Sequence, residues 1–366
     1  MKKYIVAAVA ALAPAFALAQ IVIGQTAGFT GVVAAGVKET TDGARLWIDH
    51  INAKGGVNGQ KIELVQMDDK FDPPIARANA KVLIEEKNVL AMFLNRGTPH
   101  TEAILPLLEA NGVPLVAPST GAMVLHQPVK KQVFNVRATY QREAEKAIAH
   151  LHTMGISRIA VVHADDSFGK DGLEGASKGF AKAGFAPVAV IKADRQKPDY
   201  KAIVPELTGK DAQAVLWIAS GSAVADGVKE LRNARSAAQV VTLSNNASSG
   251  FIKSLGQHSR GVVVTQVFPY ERSIAYGFIK EAMQLAREKK LELSPAMLEG
   301  YTAAKVLVEG LRRAGPNPTR AKLMAALEGI RNFDLGGLEV SYGADDHTGL
   351  DFADLSIIGA DGKFKR

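Results

Sequence analysis

The chain has 366 residues, a formal charge of +7 and no cysteine. The missing thiols exclude disulfides and thiolate metal centres, so stability must come from apolar cores, and the length suffices for two domains. Basic and acidic residues are interspersed rather than clustered, which argues against a nucleic-acid surface.

The opening stretch MKKYIVAAVAALAPAFALAQ combines two lysines, an apolar run and the small-x-small triplet Ala17-Leu18-Ala19. That pattern predicts a secretory signal cleaved after Ala19, with Gln20 as the first mature residue. A membrane anchor is the alternative, but Pro14 interrupts a run already short for a span. Cleavage would remove the charges of Lys2 and Lys3. No cysteine follows to carry a lipid, so a free secreted protein is expected.

Strand-like and helix-like segments then alternate. IVIGQT (21–26) precedes a helix in GARLWIDHINAKGG, ended by Gly55 and Gly56. KIELVQMDD (61–69) leads into a helix in DPPIARANAKVLIEEK, with Asp72 as N-cap and prolines in the first turn. VLAMFLN, a helix over 100–110, PLVAPS and VFNVRATY (133–140) follow. The pattern restarts with RIAVVHAD, and APVAVIKA, AQAVLWIAS and QVVTLS are each preceded by a helical stretch. RGVVVTQVF (260–268), two long amphipathic helices across about 272–313, and the short strands LEVSY and ADLSIIGA finish the chain. Such alternation predicts an α/β fold with parallel sheets covered on both faces, and two runs predict two doubly wound lobes. Ligands in these folds sit beyond the carboxyl ends of the strands, where strand order reverses.

Two neighbouring strands end in the same polar way: one on Arg96-Gly97-Thr98, the next on Ser119-Thr120-Gly121. A helix starting after Gly97 would aim free backbone N–H groups and its positive dipole end into the crevice. The Thr98 hydroxyl adds a donor, and the second turn repeats the arrangement. This suits a small anion, most simply a carboxylate. The plainer reading is that Thr98 merely caps its own helix; repetition at adjacent strand ends favours the anion. Arg96 could add a bidentate contact or, on the alternate side of the strand, face solvent.

Catalytic patterns fail on inspection. GASKG (175–179) matches a hydrolase nucleophile motif but reads as helix interior, without the preceding strand. GQTAGFTG lacks nucleotide-site spacing, and DDKFD (68–72) lacks that of an EF-hand loop. His150 and His152 are two apart on a helix and face different ways. No enzyme activity, cofactor or metal is expected.

DHINAKGGVNGQKIELVQMDDKFDP, VPLVAPSTGA, RIAVVHADDSFGKDG and EGYTAAKVLVEGL together resemble the type I periplasmic solute-binding proteins, in the leucine/isoleucine/valine branch of ABC importer receptors. The resemblance covers the whole chain after the leader. It implies a first lobe of residues 20–138 plus 268–348 and a second of 139–267 plus 349–366. Three crossovers near 138–141, 266–270 and 347–351 would form the hinge. A monomer serving an inner-membrane ABC permease is implied; a sensing module for a membrane receptor is the alternative with the same fold. By resemblance, Thr98 and Ser119, Thr120 and Gly121 hold a ligand carboxylate, and Phe168 packs on the ligand from the second lobe. Amino-acid binders of the branch place an acid for the ligand ammonium where this chain has Asn246. Either Asp165 or Asp166 replaces it, so that the ligand is like a branched-chain amino acid, or the ligand is an aliphatic or aromatic carboxylic acid without an ammonium.

Overall fold

The structure, a computed structural model, describes residues 20–366; the expected leader and its cleavage site lie outside the described residues. The first sheet contains β1 (Ile21–Ala27), β2 (Ile62–Asp68), β3 (Ala91–Phe93), β4 (Leu115–Val116) and β5 (Val133–Phe134). All pairs are parallel, in the order β2-β1-β3-β4-β5. The helices α1 (Ala34–Ala53), α2 (Pro73–Glu85) and α3 (Thr98–Asn111) connect these strands. Asp72 caps α2 through Ile75 N at 3.4 Å, with prolines in the first turn. Leu83 and Ile84 of α2 and Ile104 and Leu108 of α3 cover one face of the sheet, and α1 lies on the other.

The second unit runs α4 (Tyr140–Thr153), β6 (Ile159–Ala164), α5 (Ser167–Ala183), β7 (Ala189–Ala193), α6 (Tyr200–Gly209), β8 (Ala214–Ile218), α7 (Gly221–Asn233), β9 (Gln239–Thr242), α8 (Ser249–Leu255) and β10 (Val263–Gln266). The chain then returns to the first lobe as α9 (Gly277–Glu288), α10 (Pro295–Ala314), α11 (Arg320–Glu328) and the hairpin β11 (Phe333–Asp334) and β12 (Glu339–Val340). It ends in β13 (Asp354–Ile358) and β14 (Phe364–Lys365), which extend the second sheet to the order β14-β13-β10-β9-β8-β6-β7. Ser177, in the hydrolase-like pentapeptide, lies inside α5 and donates to the Leu173 carbonyl at 2.9 Å.

Two details differ from the sequence reading. β13 pairs antiparallel with β10 and β14 with β13, because this last segment re-enters the second sheet from the first lobe. The strand expected over 133–140 pairs in the sheet only at Val133 and Phe134. Beyond them the backbone bonds to the returning chain instead: Asn135 N to the His347 carbonyl at 2.9 Å, and Leu350 N to the Val136 carbonyl at 3.0 Å. Two of the segments crossing between the lobes therefore run side by side.

α1 and α10 pack unusually closely. A Cβ on Gly43 would overlap the Met297 carbonyl, and one on Gly300 would overlap that of Thr40. Side-chain-free positions on both helices let the backbones touch, which fixes where α1 points.

Candidate functional site

Both sheets reverse strand order once, between β1 and β3 in the first and between β6 and β8 in the second. The helices after these four strands are α1, α3, α5 and α7, and their starts meet in the cleft between the lobes. There they line a space of about 20 Å³, with Val33, Arg96, Gly97 and Thr98 from the first lobe and Phe168, Ser220 and others from the second. That is room for about one water, so the lobes must part to admit a ligand.

The helix starts themselves carry a signal. Helices α2, α4, α5, α6, α8, α10 and α11 each open on a side-chain cap. Helices α1, α3, α7 and α9 have none; the N-cap residues of the first three, Val33, Gly97 and Ser220, line the cavity, and that of α9, Tyr276, does not. An uncapped start leaves backbone N–H donors and a positive dipole end without a side-chain partner. Three of them converge on one small space. Gly97 makes its approach with φ +99°, in the region that favours glycine.

Arg96 turns inward and is 5% exposed. β3 stops at Phe93 and Leu94 has φ +50°, so strand alternation does not govern the direction of Arg96. Its guanidinium donates to Ser119 Oγ at 2.9 Å and, across the cleft, to the Asn245 carbonyl at 2.6 Å. Among the described residues no carboxylate lies within ion-pair distance of it; Glu299 is reached only through Ser119, whose hydroxyl donates to Glu299 at 2.8 Å. Glu299 belongs to a buried hinge cluster in which Arg137 pairs with Glu143, donates to Ser244 Oγ at 2.7 Å, and lies 3.9 Å from Glu299. Burial pulls the Arg137 pKa down, but Glu143, Tyr140 and Glu299 outweigh it and hold the group above its ordinary value.

The two neighbouring strand ends do meet. Thr98 Oγ1 and Thr120 Oγ1 are 2.8 Å apart and both are buried. Gly121 stands further back, its carbonyl accepting from Tyr140 N at 2.8 Å. Phe168 lines the cavity edge-on to Tyr140, with centroids 4.8 Å apart.

Several lining residues lay outside the sequence reading: Val33, Phe71, Tyr140, Arg195, Ser220 and Asn245. Phe71 is held by the β2–α2 turn, where Asp69 accepts from Phe71 N at 2.9 Å and from Thr26 at 3.1 Å. Burial pushes the Asp69 carboxyl up to about 6. Arg195 reaches in from the loop after β7 and places its guanidinium 5.1 Å from the Phe71 ring centre and 4.9 Å from that of Phe168. Asp166 neutralises it at 2.5 Å, and burial lowers the Arg195 pKa.

The expected acid substitutes are elsewhere. Asp166 is occupied by Arg195 and by capping α5 through Gly169 N at 3.0 Å; Asp165 faces Lys192 at 3.2 Å near the surface. Asn246 turns away from the lining: its Nδ2 donates to the Ala219 carbonyl at 3.1 Å and to Thr242 Oγ1 at 2.8 Å. Its neighbour Asn245 takes the cavity position. Among the described residues no acidic side chain lines the cavity.

Two doubly wound lobes closed on a cationic, donor-rich cavity define a solute-binding receptor rather than a catalyst. The chain belongs to the periplasmic binding protein family, which its residues 20–354 match. Leu/Ile/Val-binding protein homolog 3 of Brucella melitensis biotype 1 is 26% identical over 317 residues, covering 85% of this chain and 84% of that protein. The Leu/Ile/Val-binding protein of Escherichia coli K12 is 25% identical over 311 residues, covering 84% and 83%. The crystal structure of a substrate-binding periplasmic protein from Ralstonia solanacearum superposes with a TM-score of 0.87 at 30% identity, covering 94% of this chain and 99% of that one.

Proposed function

We propose that this protein captures a small monocarboxylate without an ammonium group and delivers it to an ABC permease in the inner membrane. The observation that carries the reading is the cavity wall: three uncapped helix starts and the Arg96 guanidinium, with no acid among the lining residues. A carboxylate there gains charge-assisted hydrogen bonds from groups that otherwise lack an anionic partner. An ammonium would be buried beside the Arg96 guanidinium with no acid on the wall to pair with it, a cost of several kcal/mol. The hinge would lie in the three segments that cross between lobes of residues 20–138 plus 268–348 and 139–267 plus 349–366. Closure around the ligand excludes water, and the closed form is what the permease would recognise. Cleavage after Ala19 would release the chain as a monomer into the periplasm.

A thermal-shift panel separates the ligand classes. At about 100 times its dissociation constant a ligand stabilises by roughly 2.7 kcal/mol, on the order of several degrees for a protein of this size. Isovalerate, benzoate and phenylacetate are expected to raise the midpoint, and leucine, valine and phenylalanine to leave it unmoved. If leucine or valine gives the largest shift, the ammonium has a partner and the reading is wrong.

The role of Thr98 is tested by a second measurement. Its hydroxyl is paired only with that of Thr120, so one proton of the pair is free to donate to the carboxylate. Thr98→Ala should weaken binding by roughly 1.5–3 kcal/mol and Thr98→Ser by little. Equal affinities by calorimetry would leave Thr98 without a ligand contact.

A further inference from the structure

Three polar atoms of the lining residues are buried without a hydrogen bond; Arg195 Nε is ion-paired with Asp166 at 2.5 Å, which leaves Asn245 Oδ1 and Ser220 Oγ. The orientation of Asn245 follows from its surroundings. Its Nδ2 donates to the Ala219 carbonyl at 3.0 Å and to Asn246 Oδ1 at 3.1 Å. Asn246 is oriented in turn, since its own Nδ2 donates to Thr242 Oγ1, which is itself the donor to the Trp217 carbonyl at 2.7 Å. Flipping the Asn245 amide would set oxygen against two acceptors. The unpartnered atom is therefore an acceptor, open to a donor from the ligand. Ser220 is 3% exposed and its hydroxyl can donate or accept.

Both residues line the same small cavity, so a neutral hydroxyl on the ligand is the group that could donate to Asn245 Oδ1 and accept from Ser220. A keto oxygen would face Asn245 acceptor to acceptor, and a methylene would leave both atoms dry and unpaired. The main-chain oxygen of this same Asn245 receives Arg96 at 2.6 Å, which puts the residue next to the cation proposed to hold the carboxylate. We propose that the ligand is an α-hydroxy acid, its hydroxyl on the carbon next to the carboxylate. This rests on the carboxylate reading above and narrows it.

Two series that each share one skeleton test the assignment: α-hydroxyisovalerate, isovalerate, α-ketoisovalerate and valine; and mandelate, phenylacetate, phenylglyoxylate and phenylglycine. In at least one series the hydroxy acid is expected to bind about tenfold or more tighter than its deoxy and keto partners, as one hydrogen bond to an otherwise unsatisfied group allows. Ser220→Ala should reduce that gap severalfold while the deoxy acid keeps its affinity. The Ser220 hydroxyl makes no bond in the protein, so its loss spares the fold. Asn245→Ala should erase the gap altogether, with circular dichroism checking that the variant is folded. Deoxy or keto acids binding as tightly as the hydroxy acid would overturn the hydroxyl assignment and leave the carboxylate reading standing. So would a preference that survives in Ser220→Ala. Tightest binding by the amino acids, or binding by no acid of either series, would bring down both.

Discussion

Arg96→Met is expected to abolish ligand capture while leaving the protein folded. Among the described residues the guanidinium is the one cation of the first lobe on the cavity wall, and it supplies the planar donor fork that matches a carboxylate. It also bridges the lobes through the Asn245 carbonyl, so its loss removes a contact that holds the cleft closed. Truncating one partner of a buried, hydrogen-bonded charge pair costs about 2–5 kcal/mol of binding. That corresponds to roughly thirtyfold to several thousandfold in dissociation constant. Arg96→Lys should recover only part of the loss, since a point charge on a flexible stem cannot reproduce both bonds. Calorimetry with the tightest-binding acid decides the matter. An Arg96→Met variant that binds as well as the parent would remove Arg96 from the site.

Gly300→Ala is expected to be among the most destabilising single-methyl additions available to this chain. Its Cβ would overlap the Thr40 carbonyl, a backbone atom that no rotamer change can move aside. Overpacking usually costs about 1–3 kcal/mol and more where the obstruction is rigid. A melting temperature lower by on the order of several degrees follows for a protein of this size. The damage should reach the cavity, because α1 rests on α10 and its first turn forms part of the wall. Gly43→Ala, on the opposing helix, should behave alike, while Gly209→Ala, with open space around it, should not. Unchanged melting of Gly300→Ala would mean that the helices have room to part.

Much of the architecture was legible because it rests on local periodicity. Alternating strands and helices marked both sheets, and the polar ends of β3 and β4 pointed to Thr98 and Arg96. The direction of Arg96 was not readable, since it depends on a positive φ at Leu94 that follows from tertiary packing. Arg195 was missed for a related reason. It lies in a charged loop indistinguishable from solvent-exposed turn sequence; packing within the second lobe brings it onto Phe168, and the approach of the lobes brings it onto Phe71. The one-residue displacement between Asn246 and Asn245 reflects a short 3₁₀ turn over Ser244–Asn246, where side chains fan around the axis and one step changes which faces the cleft. The antiparallel end of the second sheet depends on a chain return that no local pattern encodes.

The missing caps on α1, α3 and α7 make the bound solute part of the fold. In the empty receptor each of these helices forgoes a side-chain cap that is typically worth about 1 kcal/mol. Selection for stability alone would fill those positions, as it has on most other helices of this chain. An aspartate introduced by Val33→Asp would do so, placing a resident carboxylate where the proposed ligand's would bind. Such a protein would melt higher and transport worse, a stability–activity trade-off concentrated in one residue. The affinity of the receptor is held in reserve as thermodynamic stability that the empty chain does without.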